Sequence, residues 1–375
     1  MHILIAPNAF KNSLSAQAAA HALQRGLLES ALDCTTECFP IADGGDGTAE
    51  LIMKKRNGTF TNVTVNDPLG RPLHTSFGLI DDGRTAVIEM ANASGLRLLK
   101  PDELNPMQTS TYGTGQMMQI ALDKGVDKII LAMGGSATVD GGCGILSALG
   151  VQFLDRHGNA LRPNPASLMQ LDTIDTAKLD VRILETEIVV ICDVDNRLLG
   201  DQGAAAVFGP QKGASAGDVV QLETFLSRFN AITLQQFGKD MAALKYGGAA
   251  GGSTAGIHTF LNAQLVNGID YFLKLTGFEA ALQKADVVIT GEGSIDEQTL
   301  QGKGPFGVAQ MAKSRNIPVI GVAGKILLHQ SAELRQYFNV LLAIGNEPTD
   351  LATALQNTTD NLVRMGREIG GLLAI

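Results

Sequence analysis

The chain has 375 residues, of which 45% are hydrophobic and 18% charged, with a net charge of −9, no Trp and four cysteines. This composition excludes a disordered chain, and no run of eighteen apolar residues is present to cross a bilayer as a helix. The negative balance is spread without blocks of like charge, which argues against a nucleic-acid surface, and the length favours two domains over one.

Residues 2–6 read as a buried strand with neither a basic stretch nor a small-residue cleavage site, so export is not expected. Cys34 and Cys38 lack a second ligand pair nearby, and the cysteines read as reduced thiols of a cytoplasmic protein rather than zinc ligands. Next comes Pro7-Asn8-Ala9-Phe10-Lys11-Asn12-Ser13, followed by Ser15 as the cap of a helix in which Ala19, Leu23 and Leu27 repeat at four-residue spacing. Lys11 and the hydroxyls of Ser13 and Ser15 would lie beside that helix N-terminus, where an anion can bind. An ordinary solvated lysine is the competing reading.

A second strand over residues 35–41 leads into Ala42-Asp43-Gly44-Gly45-Asp46-Gly47. Its two carboxylates, three apart, suit either Mg²⁺ bound through water or plain Asp-Gly turns. Residues 60–65 and 73–79 alternate around Asn66-Asp67-Pro68-Leu69-Gly70-Arg71, which predicts an antiparallel pair and a domain boundary near residue 65.

Strands are predicted at 128–133 and 187–192. The first ends in Gly134-Gly135-Ser136-Ala137-Thr138-Val139-Asp140-Gly141-Gly142, a strand-loop-helix junction whose N–H groups and hydroxyls form a cradle for phosphate or carboxylate. The second ends in Asp193, Asp195 and Asn196, which offer ligands for a hard cation, a general base for a hydroxyl, or an Asx turn. Residues 246–256 are too rich in Gly and Ala for an ordinary helix and predict a close backbone approach to a ligand or a neighbouring helix.

The last hundred residues return to strand-helix units, with strands at 287–290, 318–323 and 340–344 that should join the N-terminal strand in one sheet. Residues 291–296 would place Glu292 and Asp296 on a flexible turn, and Gly302-Lys303-Gly304-Pro305 starts a helix with Pro in its first turn. Residues 302–307 satisfy GxGxxG without a preceding strand, and residues 213–217 satisfy GxSxG ahead of a capped helix beginning near Asp218. Neither is a dinucleotide fingerprint or a hydrolase elbow. The histidines, at 2, 21, 74, 157, 258 and 329, have no ligand spacing and read as structural or exposed.

The economical architecture is α/β: a discontinuous doubly wound parallel-sheet domain from residues 1–65 and 275–375, with a mixed α/β domain, 66–274, inserted. Residue spacing alone reaches a phosphotransferase or another anion-binding α/β enzyme. A Mg-dependent phosphatase of small anionic metabolites and a ligand-sensing module remain alternatives.

Nearly the whole chain resembles the bacterial glycerate kinase family, the type unrelated to P-loop and sugar-kinase folds. The resemblance rests on IAPNAFKNSLSA, ADGGDGT, NDPLGR, EMANASGL, TYGTG, GGSATVDGG, CDVDN, FGPQKGA and ITGEGSIDEQTLQGK, in the family's order. It implies ATP-dependent phosphorylation of D-glycerate, with 2-phosphoglycerate favoured over 3-phosphoglycerate. It also implies Mg²⁺ dependence, a flavodoxin-like domain and an inserted domain similar to a restriction-enzyme core.

On that basis Lys11, with Lys303, is expected to neutralise nucleotide phosphates, Ser13 to sit in the nucleotide site, and Glu292 and Asp296 to hold Mg²⁺. Gly135 and Ser136 would bind an anionic group of the substrate, Arg71 its carboxylate, and Asp193 would accept the hydroxyl proton. The sequence departs from the family's usual PDSFKGS at Asn8, Ala9 and Asn12, and from ATNDGG at Val139. Ser294 stands where Arg is usual, and Gln116 where Glu is usual.

Overall fold

The structure is a computed structural model that describes residues 1–327 and 332–375. Its strands are β1 (His2–Ile5), β2 (Thr35–Cys38), β3 (Thr59–Asn66), β4 (Pro72–Ile80), β5 (Thr85–Glu89), β6 (Lys128–Ala132), β7 (Gln152–Leu154), β8 (Thr173–Asp175), β9 (Glu187–Cys192), β10 (Gln264–Asn267), β11 (Val287–Ile295), β12 (Val319–Ile326) and β13 (Val340–Ala343). The chain divides into two compact units, Met1–Asp43 with Asn267–Ile375, and Gly44–Val266.

In the first unit a parallel sheet runs β13-β12-β11-β1-β2. Ile3, Ile5, Ile289 and Val322 are buried in its strands, as expected for a parallel sheet covered on its faces. Helices Ala16–Leu28 and Thr358–Leu373 bring Leu23, Leu27, Leu362 and Ile369 into the same core. Ser15 caps the first of these, its Oγ accepting from Ala18 N at 3.2 Å, and Ala19, Leu23 and Leu27 form the buried stripe that the spacing predicts.

Residues 291–296 differ from expectation. Most of that segment is not a flexible turn but the continuation of β11, because β12 runs on beside it, with Glu292 opposite Ala323 and Ser294 opposite Lys325. The strand carries Glu292 on a fixed backbone.

The second unit holds the mixed sheet β10-β9-β6-β5-β4-β3 and the small pair β7-β8. β3 and β4 are antiparallel with Val65 opposite Leu73, while β5, β6 and β9 are parallel. Because β3 completes this sheet, the division falls at Asp43 and Gly44 rather than at 65 and 66. On the other side helix Gly268–Leu275 belongs to the first unit, so the division falls ahead of it, at Val266 and Asn267, rather than at 274 and 275. No helix among the described residues is long and apolar enough to cross a membrane.

Residues 246–256 form a kinked 3₁₀ turn, Ala249–Gly252, leading into helix Ser253–Leu261, with positive φ at Tyr246, Ala250, Gly251 and Gly252. The close approach is to the glycine loop after β6. Gly141 N donates to Gly251 O at 3.1 Å, and a Cβ on Gly251 would collide with Thr138 O.

Candidate functional site

In the first unit, chemistry gathers around Glu292. This side chain is 8% exposed, and its carboxyl is pushed up to about 7 by burial and by Asp43, against the pull of Lys303, Lys11 and a hydrogen bond from Thr299. Asp43 is itself oriented: its Oδ2 accepts from Asn8 Nδ2 at 2.9 Å and from Gly304 N at 3.3 Å, the first N–H of helix Gly304–Ser314. Pro305 stands in the first turn of that helix, as its sequence predicts.

Lys11, Lys303, Glu292 and Asp43 are therefore one electrostatic group. Asp296 joins it less directly: its N–H donates to Thr299 Oγ1 at 3.1 Å, and that hydroxyl lies 3.4 Å from Glu292 Oε1, while Ser294 Oγ donates to Asp296 Oδ2 at 3.3 Å. Ser13 turns elsewhere, its Oγ donating to Leu355 O at 2.6 Å.

In the second unit, the loop after β6 is held from several directions. Gly134 N donates to Gly44 O at 3.0 Å, and a Cβ on Gly134 would stand 2.6 Å from Gly45 Cα. Gly135, at φ 71, lies against the Asp46 carboxylate, where a Cβ would come within 2.5 Å of Oδ1. The doubled glycine is thus required by loop-on-loop packing, and its use as a cradle is additional to that.

Asp140 is fully buried and accepts from Thr111 N at 2.7 Å, Thr111 Oγ1 at 2.8 Å, Gly142 N at 3.1 Å and Gly144 N at 3.2 Å. Burial still raises its carboxyl above the usual range. Two further residues were missed by the sequence reading. Lys212 donates from Nζ to Ser136 Oγ at 2.8 Å and to Thr138 O at 2.7 Å. Burial pulls its ammonium down to about 7, with Asp140 and then Asp193 opposing. Glu89, at the end of β5, accepts from Ala49 N at 2.7 Å, and its carboxyl is raised by burial with Asp46 adding to the effect. Lys212 stands in the Pro-Gln-Lys-Gly turn of the FGPQKGA segment, and Glu89 opens EMANASGL. In both segments the signal is a charge enclosed by Gly, Ala and apolar neighbours.

Arg71, expected to recognise the substrate carboxylate, is paired with two acids of the protein. Its Nε donates to Asp67 Oδ2 at 2.5 Å and its Nη1 to Glu103 Oε1 at 2.6 Å, and these partners, Glu103 foremost, hold its guanidinium above its ordinary value. A fork already shared by two carboxylates has little left for a third.

The departures from the family's pattern have local accounts. Gln116 Oε1 accepts from Asn66 N at 2.7 Å, and Val139 is buried in the core. Of the histidines, His2, His74 and His258 make structural hydrogen bonds to Thr35, Thr64 and Ala263 O, while His329 lies outside the described residues.

No group of three or more His, Cys, Asp or Glu side chains suited to a metal occurs among the described residues. Mg²⁺ does not require one, since it is commonly held by one or two carboxylates together with phosphate oxygens. Glu292 fits that use: it is a buried carboxylate whose hydrogen bond from Thr299 is long, beside a second acid and two lysines.

Residues 3–374 match the model of the glycerate kinase family. The chain is similar to glycerate kinase of Bacillus subtilis (strain 168), 43% identical over all of this chain and 98% of the relative. It is 40% identical to glycerate 2-kinase of Escherichia coli (strain K12), again over all of this chain and 98% of the relative. A crystal structure from Salmonella typhimurium LT2, named for glycerate kinase 2, superposes with a TM-score of 0.83 at 41% identity, covering 100% of this chain and 98% of that one.

Proposed function

This chain belongs to the glycerate kinase family, and from that premise we propose how its residues serve the transfer of the ATP γ-phosphoryl group to a hydroxyl of D-glycerate. The activity itself is that of the family, an ATP-dependent phosphotransferase with an alcohol acceptor. Product at the 2-position is favoured, a choice supported by the name of the Escherichia coli relative.

Phosphoryl transfer asks a protein for positioning and charge neutralisation. Lys11 and Lys303 supply cations to the nucleotide phosphates, with Ser13 alongside in the loop. Glu292 would hold Mg²⁺, with Asp43 or Asp296 as its second acid, and the ion when bound would neutralise phosphate charge. Gly135 and Ser136 receive the anionic end of glycerate, and Asp193 accepts the proton of the attacking hydroxyl. Arg71 is left out of the carboxylate role because Asp67 and Glu103 occupy it.

The observation that carries this assignment is the placement of Glu292 among Asp43, Lys303 and Lys11. Within the first unit, strands counted in chain order run 2-1-3-4-5 across the sheet, which supports a flavodoxin-like description. The mixed six-stranded sheet supports the restriction-enzyme-like comparison for the inserted domain, and we take the two units as the enzyme's two domains. The purified protein should consume ATP only when D-glycerate is supplied, and phosphorus NMR should show 2-phosphoglycerate. Consumption without glycerate would contradict the assignment, and 3-phosphoglycerate would contradict the position.

A further inference from the structure

Lys212 ends the 3₁₀ turn Pro210–Lys212 and is 3% exposed. An ammonium is costly to bury without compensation, so a lysine placed here needs a reason. Its Nζ reaches Ser136 Oγ and Thr138 O. The charged groups facing it are Asp140, on the glycine loop, and Asp193, just beyond β9. Asp140 already has four donors.

The loop that Lys212 grips has spare capacity. Because Ser136 Oγ accepts from Nζ, that contact leaves its own O–H proton able to donate. Among the described residues the N–H groups of Gly135 and Ser136 have no acceptor, and the Thr138 hydroxyl is fully buried with no partner. Donors without acceptors, backed by a buried cation, suit an anion.

We propose that Lys212 is a positioning residue of the substrate site, fixing the Gly135–Ser136 loop and supplying, through the Ser136 hydroxyl, the positive charge that a bound glycerate carboxylate requires. The inference rests on the reading of Gly135 and Ser136 as the glycerate subsite. It has a consequence that a merely structural lysine would lack. Burial brings the ammonium down to about 7, so at pH 8 it is mostly neutral in the free enzyme. An arriving carboxylate restores the charge by drawing in a proton.

The test is calorimetric titration of D-glycerate into the full-length protein with MgADP present, at pH 8, in two buffers of different ionisation enthalpy. Wild type should take up most of one proton, about 0.9 at the limit for a group titrating near 7. In Lys212→Met the uptake should vanish and glycerate affinity should fall on the order of 10- to 100-fold, with MgADP affinity within about twofold. Absence of uptake in wild type overturns the proposal, as does uptake that persists in Lys212→Met. If that variant fails to fold, the wild-type measurement decides alone. Ser136→Ala separates the two ideas. Unchanged glycerate affinity in Ser136→Ala refutes the subsite and the proposal with it, whereas weakened binding there without proton uptake in wild type refutes the role of Lys212 alone.

Discussion

Asn8 Nδ2 donates to Asp43 Oδ2 at 2.9 Å, while Asn8 Oδ1 accepts from Ala9 N at 2.8 Å. The amide is thus oriented by its own loop and turns a donor toward an acid that raises the carboxyl of Glu292. In the family's usual pattern an Asp stands here, which would oppose Asp43 with a second negative charge.

Asn8→Asp should therefore lower the melting temperature in metal-free buffer at pH 8, by the equivalent of about 1–3 kcal/mol for a lost donor and a gained like charge. Millimolar Mg²⁺ should recover more stability in the variant than in wild type. Equal Mg²⁺ responses would mean that this acid group does not hold the cation.

Glu292 sets a pH dependence whose sign follows from its shift. Its carboxyl is raised from 4.5 to about 7, so between those values the folded protein keeps a proton that the unfolded chain has released. Stability from this group is therefore present below pH 4.5 and is lost as pH rises to 7, on the order of 3 kcal/mol in all. Denaturant titrations from pH 4.5 to 7.5 without divalent ions should show that decline in wild type and a flatter profile in Glu292→Gln. Parallel profiles would place the shift elsewhere.

Asp193→Asn should reduce kcat with D-glycerate by roughly 10²- to 10⁴-fold, the usual scale for a lost general base, while KM for ATP stays within about twofold. Near-wild-type turnover would remove Asp193 from the proton-accepting role.

Arg71→Ala should leave KM for glycerate within about threefold, since both faces of its fork are held by Asp67 and Glu103, and solvent-exposed pairs of this kind contribute little. A rise of tenfold or more would show that the guanidinium exchanges its partners for substrate.

Gly26→Ala tests the scaffold rather than the site. A Cβ there would collide with Val363 O and stand 2.8 Å from Arg367 N and 2.9 Å from Gly366 Cα, all backbone atoms of the C-terminal helix. Helices Ala16–Leu28 and Thr358–Leu373 must part to admit it, at a cost of about 1–3 kcal/mol. Thermal unfolding should report the loss, whereas turnover per folded molecule at 25 °C should be retained.

By itself the sequence determined the α/β class, the strand exits and most acidic loops, because buried parallel strands read as short apolar runs and turns as Gly-Asp clusters. It also determined the cap at Ser15, the antiparallel pair β3 and β4, and the family, which rests on long segments rather than on any one spacing. Tertiary structure decided the rest. Whether residues 291–295 are turn or strand depends on β12 running beside them, a partner some thirty residues away that no local pattern contains. Lys212 and Glu89 matter because burial moves their charges, and burial is a property of what packs around a side chain. Arg71 offers the reverse case: a fork suited to a carboxylate by its chemistry, already closed by Asp67 four residues before it and Glu103 thirty-two residues beyond.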